Sequence, residues 1–328
     1  MNWGKARAIL IVAFLCLDLF LGVRAWAILR AQLGGQNPAG ELSFAIEQLR
    51  ELGVQVSCEP PVQGKPSPFV MVRPLFQDPD SAARAFLGPD LTDVSPFALG
   101  SATVYRKGPV TMSVEKGSII EYLDRGVRPG EPTAPRRAVE ALVQFLSGKG
   151  VQLEPNNCVV SRQQELVIVI AEQRINGLPF FGCQVYGEVS GQRVRRLRLR
   201  WLAVEGPSGY RKALVPVGEV LKRAGREIAR RQGRDTIVSV EQGYFTEIYD
   251  ASQWEAVPAW RVRTGAGLDL ILNGYTGELE WVGEQSQHVI GADSIEIRNK
   301  RGEAPAGQGE SQRVQERLCC HIARGAGC

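Results

Sequence analysis

The chain has 328 residues, 44% hydrophobic and 23% charged, with 36 glycines and 19 prolines. That is a turn-rich folding sequence with room for two ordinary domains, and it excludes a disordered protein or one that needs a cofactor merely to fold. Its 39 Lys and Arg against 35 Asp and Glu leave a net charge of only +4, too little to hold nucleic acid by bulk electrostatics, and no aromatic-basic RNA motif compensates.

Ala8 to Leu29 form a run of 22 residues that is apolar except for Asp18 and Arg24. A helix of that length crosses a hydrocarbon core of about 30 Å. Lys5 and Arg7 precede it and set residues 1–7 in the cytoplasm, with Arg24 and Arg30 weakening the asymmetry from the far side. The rival reading is a cleaved signal, because Ala25-Trp26-Ala27 has the A-x-A form of a cleavage site. Asp18 favours the permanent anchor: an acid in mid-helix costs a few kcal/mol in lipid and persists where it meets a protein partner.

Beyond a Gly/Asn/Pro linker, residues 30–41, the spacing of Leu42, Ala45, Ile46 and Leu49 predicts an amphipathic helix stopped by Gly53. Strands are predicted at Val54 to Ser57 and Phe69 to Leu75, then a helix opened by Asp78-Pro79. Three close β runs, Ala102 to Arg106, Val110 to Glu115 and Ser118 to Leu123, predict an antiparallel meander. Arg125 to Pro135 hold three prolines and two glycines, a domain boundary. A helix carrying Val139, Leu142, Val143 and Leu146 follows, then strands at Leu166 to Ala171, Cys183 to Val189 and Val194 to Val204. Val217 to Arg230 predict another helix, and Gly243 to Tyr249, Ala259 to Arg263, Leu268 to Leu272 and Glu278 to Val282 the closing strands. Leu49 to Val56 and Leu146 to Leu153 share a Leu-x-x-x-Gly-Val-Gln-aliphatic exit. The expected fold is therefore α+β: a transmembrane helix at 8–29, similar α+β units at 42–125 and 132–290, and a disordered tail at 291–328.

Asn2 to Leu21, NWGKARAILIVAFLCLDLFL, resembles the N-terminus of the YycI family, accessory proteins of the WalK/WalR two-component system of low-GC Gram-positive bacteria. Ile175 to Val189, Val257 to Val262 and Asn273 to Glu280 are similar to stretches of the same family's ectodomain, and the last pattern is shared more loosely with PepSY-like domains. The resemblance implies an extracytoplasmic regulator with one membrane helix, acting with a YycH-like partner on a sensor histidine kinase of WalK type. It places helix contacts in the bilayer at Phe14, Asp18 and Leu21. The charged tail departs from that pattern. A secreted or wall-associated PepSY-like binding module, released after Ala27, is the alternative.

An enzyme is not expected. The two histidines, His288 and His321, give a Ser-His-Asp or Cys-His device little material, and no nucleophile-elbow, zincin, P-loop or dinucleotide fingerprint occurs. No metal site is expected either, since Cys319, Cys320, His321 and Cys328 lack knuckle spacing. The seven cysteines show no disulfide framework. One surface feature has a chemical rationale: alternation on a strand sends Arg196, Arg198 and Arg200 to one face and Leu197, Leu199 and Trp201 to the other. That face could contact anionic headgroups, wall polymers or an acidic partner.

Overall fold

Helix followed by a four-stranded antiparallel meander is the repeating theme of the computed structural model, which describes residues 14, 17–19, 22–24, 38–130, 133–163, 165–284 and 294–296. Helix α1 (Pro38–Glu51) and strands β1 (Val54–Val56) and β2 (Ser67–Pro74) come first. The first repeat is α2 (Pro79–Leu87) with β3 (Ser95–Leu99), β4 (Ala102–Lys107), β5 (Val110–Glu115) and β6 (Ile119–Asp124). The second is α3 (Pro135–Ser147) with β7 (Cys158–Gln163), β8 (Leu166–Ile175), β9 (Leu178–Ser190) and β10 (Arg193–Arg200). Strand β11 (Leu202–Lys212) leads to the third, α4 (Val217–Gln232) with β12 (Asp235–Phe245), β13 (Trp254–Thr264), β14 (Leu268–Asn273) and β15 (Leu279–Glu284). Strand β16 (Ser294–Glu296), inside the stretch expected to be disordered, pairs antiparallel with β7. The class is α+β, dominated by sheet.

Local chemistry sets the helix ends. Asp78 accepts a hydrogen bond from the Ser81 N–H (2.7 Å), Ser81 Oγ accepts in return from the Asp78 N–H (3.4 Å), and Pro79 occupies the first helical turn, a capping box that fixes where α2 begins. The shared exit motif of α1 and α3 does the same job twice. Leu49 and Leu146 are fully buried, Gly53 (φ 78°) and Gly150 (φ 77°) take the left-handed conformation, and Val54 and Val151 turn back into the core.

The first two repeats fuse through their fourth strands. β6 and β10 pair antiparallel, from Arg196 opposite Leu123 to Arg200 opposite Ile119, giving the strand order β3-β4-β5-β6-β10-β9-β8-β7-β16. The two strands that pair here, β6 and β10, stand on either side of the Pro/Gly-rich stretch 125–135. Fourth strand meeting fourth strand relates the two repeats by a local twofold, so α2 and α3 lie on one face over a common core. There Phe86 packs 6.0 Å from Phe145 and Tyr122 5.3 Å from Phe145, ring centre to ring centre.

The third repeat has the order β1-β12-β13-β14-β15, with β1 parallel to β12. Its core, centred on Trp260, is covered by α4 and α1. The helices cross closely because Gly218 and Gly225 carry no side chain: a Cβ at 225 would stand 1.9 Å from Leu49 Cδ2, and one at 218 would stand 3.0 Å from the Glu41 carbonyl oxygen. Strands β11, β2 and the start of β13 form a third, small sheet.

The strand expected over Val194 to Val204 is two strands. Trp201 is the junction: its backbone N–H still donates to the Ser118 carbonyl (3.0 Å) beside β6 and its ring is buried, while Leu202 starts afresh opposite Pro74 in a different sheet. Strands β3 and β7 were not expected; their short runs lack clean alternation.

No helix among the described residues is long and apolar enough to cross a membrane. The expected span at 8–29 lies mostly outside the described residues; Phe14, residues 17–19 and residues 22–24 of it are helical. Leu21, His288, His321, Cys319, Cys320 and Cys328 also lie outside the described residues.

Candidate functional site

A network of largely buried charges lies where the second and third repeats meet. On β13 the alternation sends Trp260 and Val262 towards α4 and Arg261 and Arg263 to the opposite face. Strand β9 begins parallel to β12, with Phe180 opposite Tyr244 and Phe181 opposite Phe245, then bends at Gly182 (φ 77°) into the large sheet. Its hairpin neighbour β8 thereby swings Glu172 over Arg261.

Arg261 is only 6% exposed. Its Nη atoms donate to both oxygens of Glu172, one of them at 2.9 Å, and its Nε donates to Glu241 Oε1 on β12, also at 2.9 Å. The Phe181 ring lies 4.4 Å from the guanidinium carbon. Arg263 Nη2 donates to the same Glu241 oxygen at 2.7 Å. Asp269, on β14 opposite Arg263, keeps its Oδ1 buried without a hydrogen bond, as does Arg263 its Nε. Phe181, Phe245, Ala259 and Ile271 form an apolar floor to this layer.

The three titrating groups respond differently. Burial works against the charge of Arg261, but Glu241 and Glu172 outweigh it and hold the guanidinium more firmly protonated than in water. Burial would also raise Glu241, yet Arg261 and Arg263 hold its carboxyl below the usual range. For Asp269 burial wins over the pull of Arg261 and Arg263, pushing it from 3.8 to about 6. A folded-state value above the unfolded one means that this group favours the fold below the unfolded value and loses that contribution as pH rises through about 6. Asp269→Asn is therefore expected to raise stability at neutral pH by roughly 1–3 kcal/mol and to flatten its pH dependence between about 4 and 6, read by denaturant melts across pH.

This arrangement can clamp two repeats together. It offers no nucleophile: the neighbouring Cys183 thiol is fully buried and pushed up to about 12 by desolvation. Among the described residues no cluster of His, Cys, Asp and Glu is arranged to hold a metal ion.

The arginine strand is β10. Arg196, Arg198 and Arg200 share the face away from the helices, while Leu197 and Leu199 are fully buried. Acids on neighbouring strands meet most of this charge: Arg193 with Asp124 at 3.0 Å, Arg195 with Glu188 at 2.8 Å, Arg196 with Glu188 at 3.5 Å and Arg198 with Glu121 at 3.6 Å. Arg200 keeps its Nε buried without a partner. The surface is thus zwitterionic. Pairs as exposed as Arg198 and Glu121 contribute a few tenths of a kcal/mol each, so they set register more than stability.

Of the helix-contact residues, Phe14 and Asp18 are described, four residues apart on one side of the helix, with the Phe14 side chain 58% exposed. The charged junction escapes a reading of the sequence because Glu172, Glu241 and Arg261 are 20 to 89 positions apart. Its one local signal is a pair of arginines set into the otherwise apolar run Val257 to Val262 and its continuation.

No protein-family model matches the sequence, and no curated protein sequence matches it. Among solved structures, the chain is similar to an uncharacterised protein from Eubacterium rectale over 70% of its own length and 91% of that chain, with a TM-score of 0.46 and 9% identity. It is also similar to the YpeB C-terminal domain of Bacillus megaterium over 63% of its length and 96% of that chain, with a TM-score of 0.32 and 10% identity.

Proposed function

We propose that this chain is a membrane-anchored, extracytoplasmic regulatory binding protein that acts on a sensor histidine kinase of WalK type together with a YycH-like partner, and that it works by presenting surfaces rather than by transforming a substrate. The observation that carries this reading is the helical stretch around Asp18. Phe14, Leu17, Leu19 and Val23 are 51 to 70% exposed, and at about 100° per residue they point to all sides of the helix. A helix that carries apolar side chains on every side, interrupted only by Asp18 and Arg24, favours surroundings that are themselves apolar, and lipid supplies them. In that medium Asp18 is the polar handle for a neighbouring helix, with Phe14 and Leu21 packing beside it. The YycI-like run of residues 2–21 supplies the kinase and YycH-like identities of the neighbours. The PepSY-like character of the exterior belongs to the same reading.

Asp18→Leu is expected to leave the protein in the membrane fraction but to weaken its co-purification with the kinase in mild detergent at least fivefold. Unchanged recovery would remove Asp18 from the contact. Mass spectrometry of the mature N-terminus checks the anchor itself, because a chain beginning after Ala27 would be a secreted binding module.

A further inference from the structure

The fold contains one completed example of how a fourth strand is extended. β6 supplies acids and β10 supplies arginines, meeting as Arg198 with Glu121 at 3.6 Å and Arg193 with Asp124 at 3.0 Å. On the helix side of the same pairing, Leu197 and Leu199 of β10 sit opposite Tyr122 and Ile120 and extend the buried face.

β15 occupies the same position in the third repeat. It pairs with β14 along one edge, and among the described residues nothing pairs with the other. Its irregularity lies opposite Leu272, at its start, and its pairing from Trp281 to Glu284 is regular. The strand has neither the proline nor the lysine that blunts exposed edges. Leu279 and Trp281 are 41% and 40% exposed, although both are large and apolar. Glu278 and Glu280 are exposed beside them, Glu280 accepting from the Asn273 side chain at 2.7 Å. β15 therefore repeats the acidic, half-apolar character of β6 and, among the described residues, has no counterpart of β10.

We propose that the outer edge of β15 takes an extended segment of a partner protein in which arginine or lysine alternates with leucine or valine. Main-chain hydrogen bonds would continue the sheet. The partner's aliphatic side chains would extend the face that carries Val282, and its cations would lie over Trp281 and beside Glu278. A second copy of this chain fits less well, because edge-to-edge pairing brings the acids of one β15 against those of the other. The inference needs only the sheet edge and does not rest on the anchored-regulator reading.

A fluorescein-labelled peptide with the sequence of residues 193–200, RVRRLRLR, titrated into the full chain in neutral detergent at low salt, tests it by anisotropy. Saturable binding is expected, weakened at least tenfold by Trp281→Ala and severalfold by Glu278→Lys, while a peptide with glutamate at every arginine does not bind. Of the amides of residues 281–284, the alternate ones that face away from β14 gain protection from hydrogen exchange in the complex. Absence of saturable binding, or binding that survives both substitutions, overturns the proposal. So does a concentration-dependent dimer in sedimentation that Trp281→Ala abolishes, since that seats a second copy on the edge. Both substitutions are of exposed side chains, and an unchanged circular dichroism spectrum separates loss of binding from loss of fold.

Discussion

Replacing Arg261 by leucine is expected to lower the stability of the fold by about 3–5 kcal/mol, the cost of removing one member of a largely buried charge network. Arg261 is 6% exposed and is the common partner of Glu172 and Glu241. With it gone, Glu172 loses the guanidinium that pairs with both its oxygens, and Glu241, brought beside it from a different repeat, keeps only Arg263. Arg261→Lys restores only part of the loss, because one ammonium cannot serve both carboxylates in the geometry of a guanidinium fork. Combining Arg261→Leu with Glu172→Gln and Glu241→Gln is expected to recover most of it, since the penalty lies in the uncompensated charge and not in the missing pair. Equilibrium denaturation of the four proteins checks this. Equal stability of the triple and the single variant would assign the effect to lost packing against Phe181 instead.

The second large effect is expected at Gly243. A Cβ there would stand 2.4 Å from the Pro179 carbonyl oxygen and 2.5 Å from the Phe181 ring, both on β9. A carbonyl held in sheet pairing cannot step aside as a flexible side chain can. Gly243→Val should therefore separate β9 from β12 where Phe180 and Phe181 lie opposite Tyr244 and Phe245. The expected loss is about 3 kcal/mol. Gly148→Ala is the contrast, for a Cβ at 148 meets nothing within 4 Å and the backbone there has φ of −75°. That change should be neutral or stabilising by up to about 1 kcal/mol, through lower chain entropy in the unfolded state. A lowered denaturation midpoint for Gly243→Val and an unchanged or raised one for Gly148→Ala identifies the β9–β12 contact as one the fold depends on.

Both effects sit at a place that local patterns do not reveal, and the contrast with what they do reveal is instructive. Helix α2 begins where Asp78-Pro79 predicts, because a cap involves only residues three positions apart. The faces of α4 are equally legible: Val217, Val220, Leu221, Ala224 and Ile228 are fully buried, as a period of about 3.6 residues requires. The burial of Leu197 and Leu199 against the outward Arg196 and Arg198 follows from a period of two. Trp201 marks the limit of such reasoning. The apolar run continues through it into Leu202, Ala203 and Val204, but the alternation changes phase at Leu202, and there the chain leaves the sheet in which Trp201 still donates its backbone N–H to the Ser118 carbonyl for one in which Leu202 lies opposite Pro74.

What the sequence by itself determined, then, is everything encoded in neighbours: the helices and their caps, the alternating faces of most strands, the α+β class, and the apolar run around Asp18 that motivates the anchored-regulator proposal. Tertiary structure alone decided that β6 is completed by β10, that β9 bridges two sheets, that Glu172 and Glu241 meet at Arg261, and that among the described residues β15 pairs along one edge only. The reason is physical. A periodicity reports which side of an element avoids water, but the choice of partner strand and the convergence of distant charges depend on contacts whose closure entropy and packing belong to the whole chain.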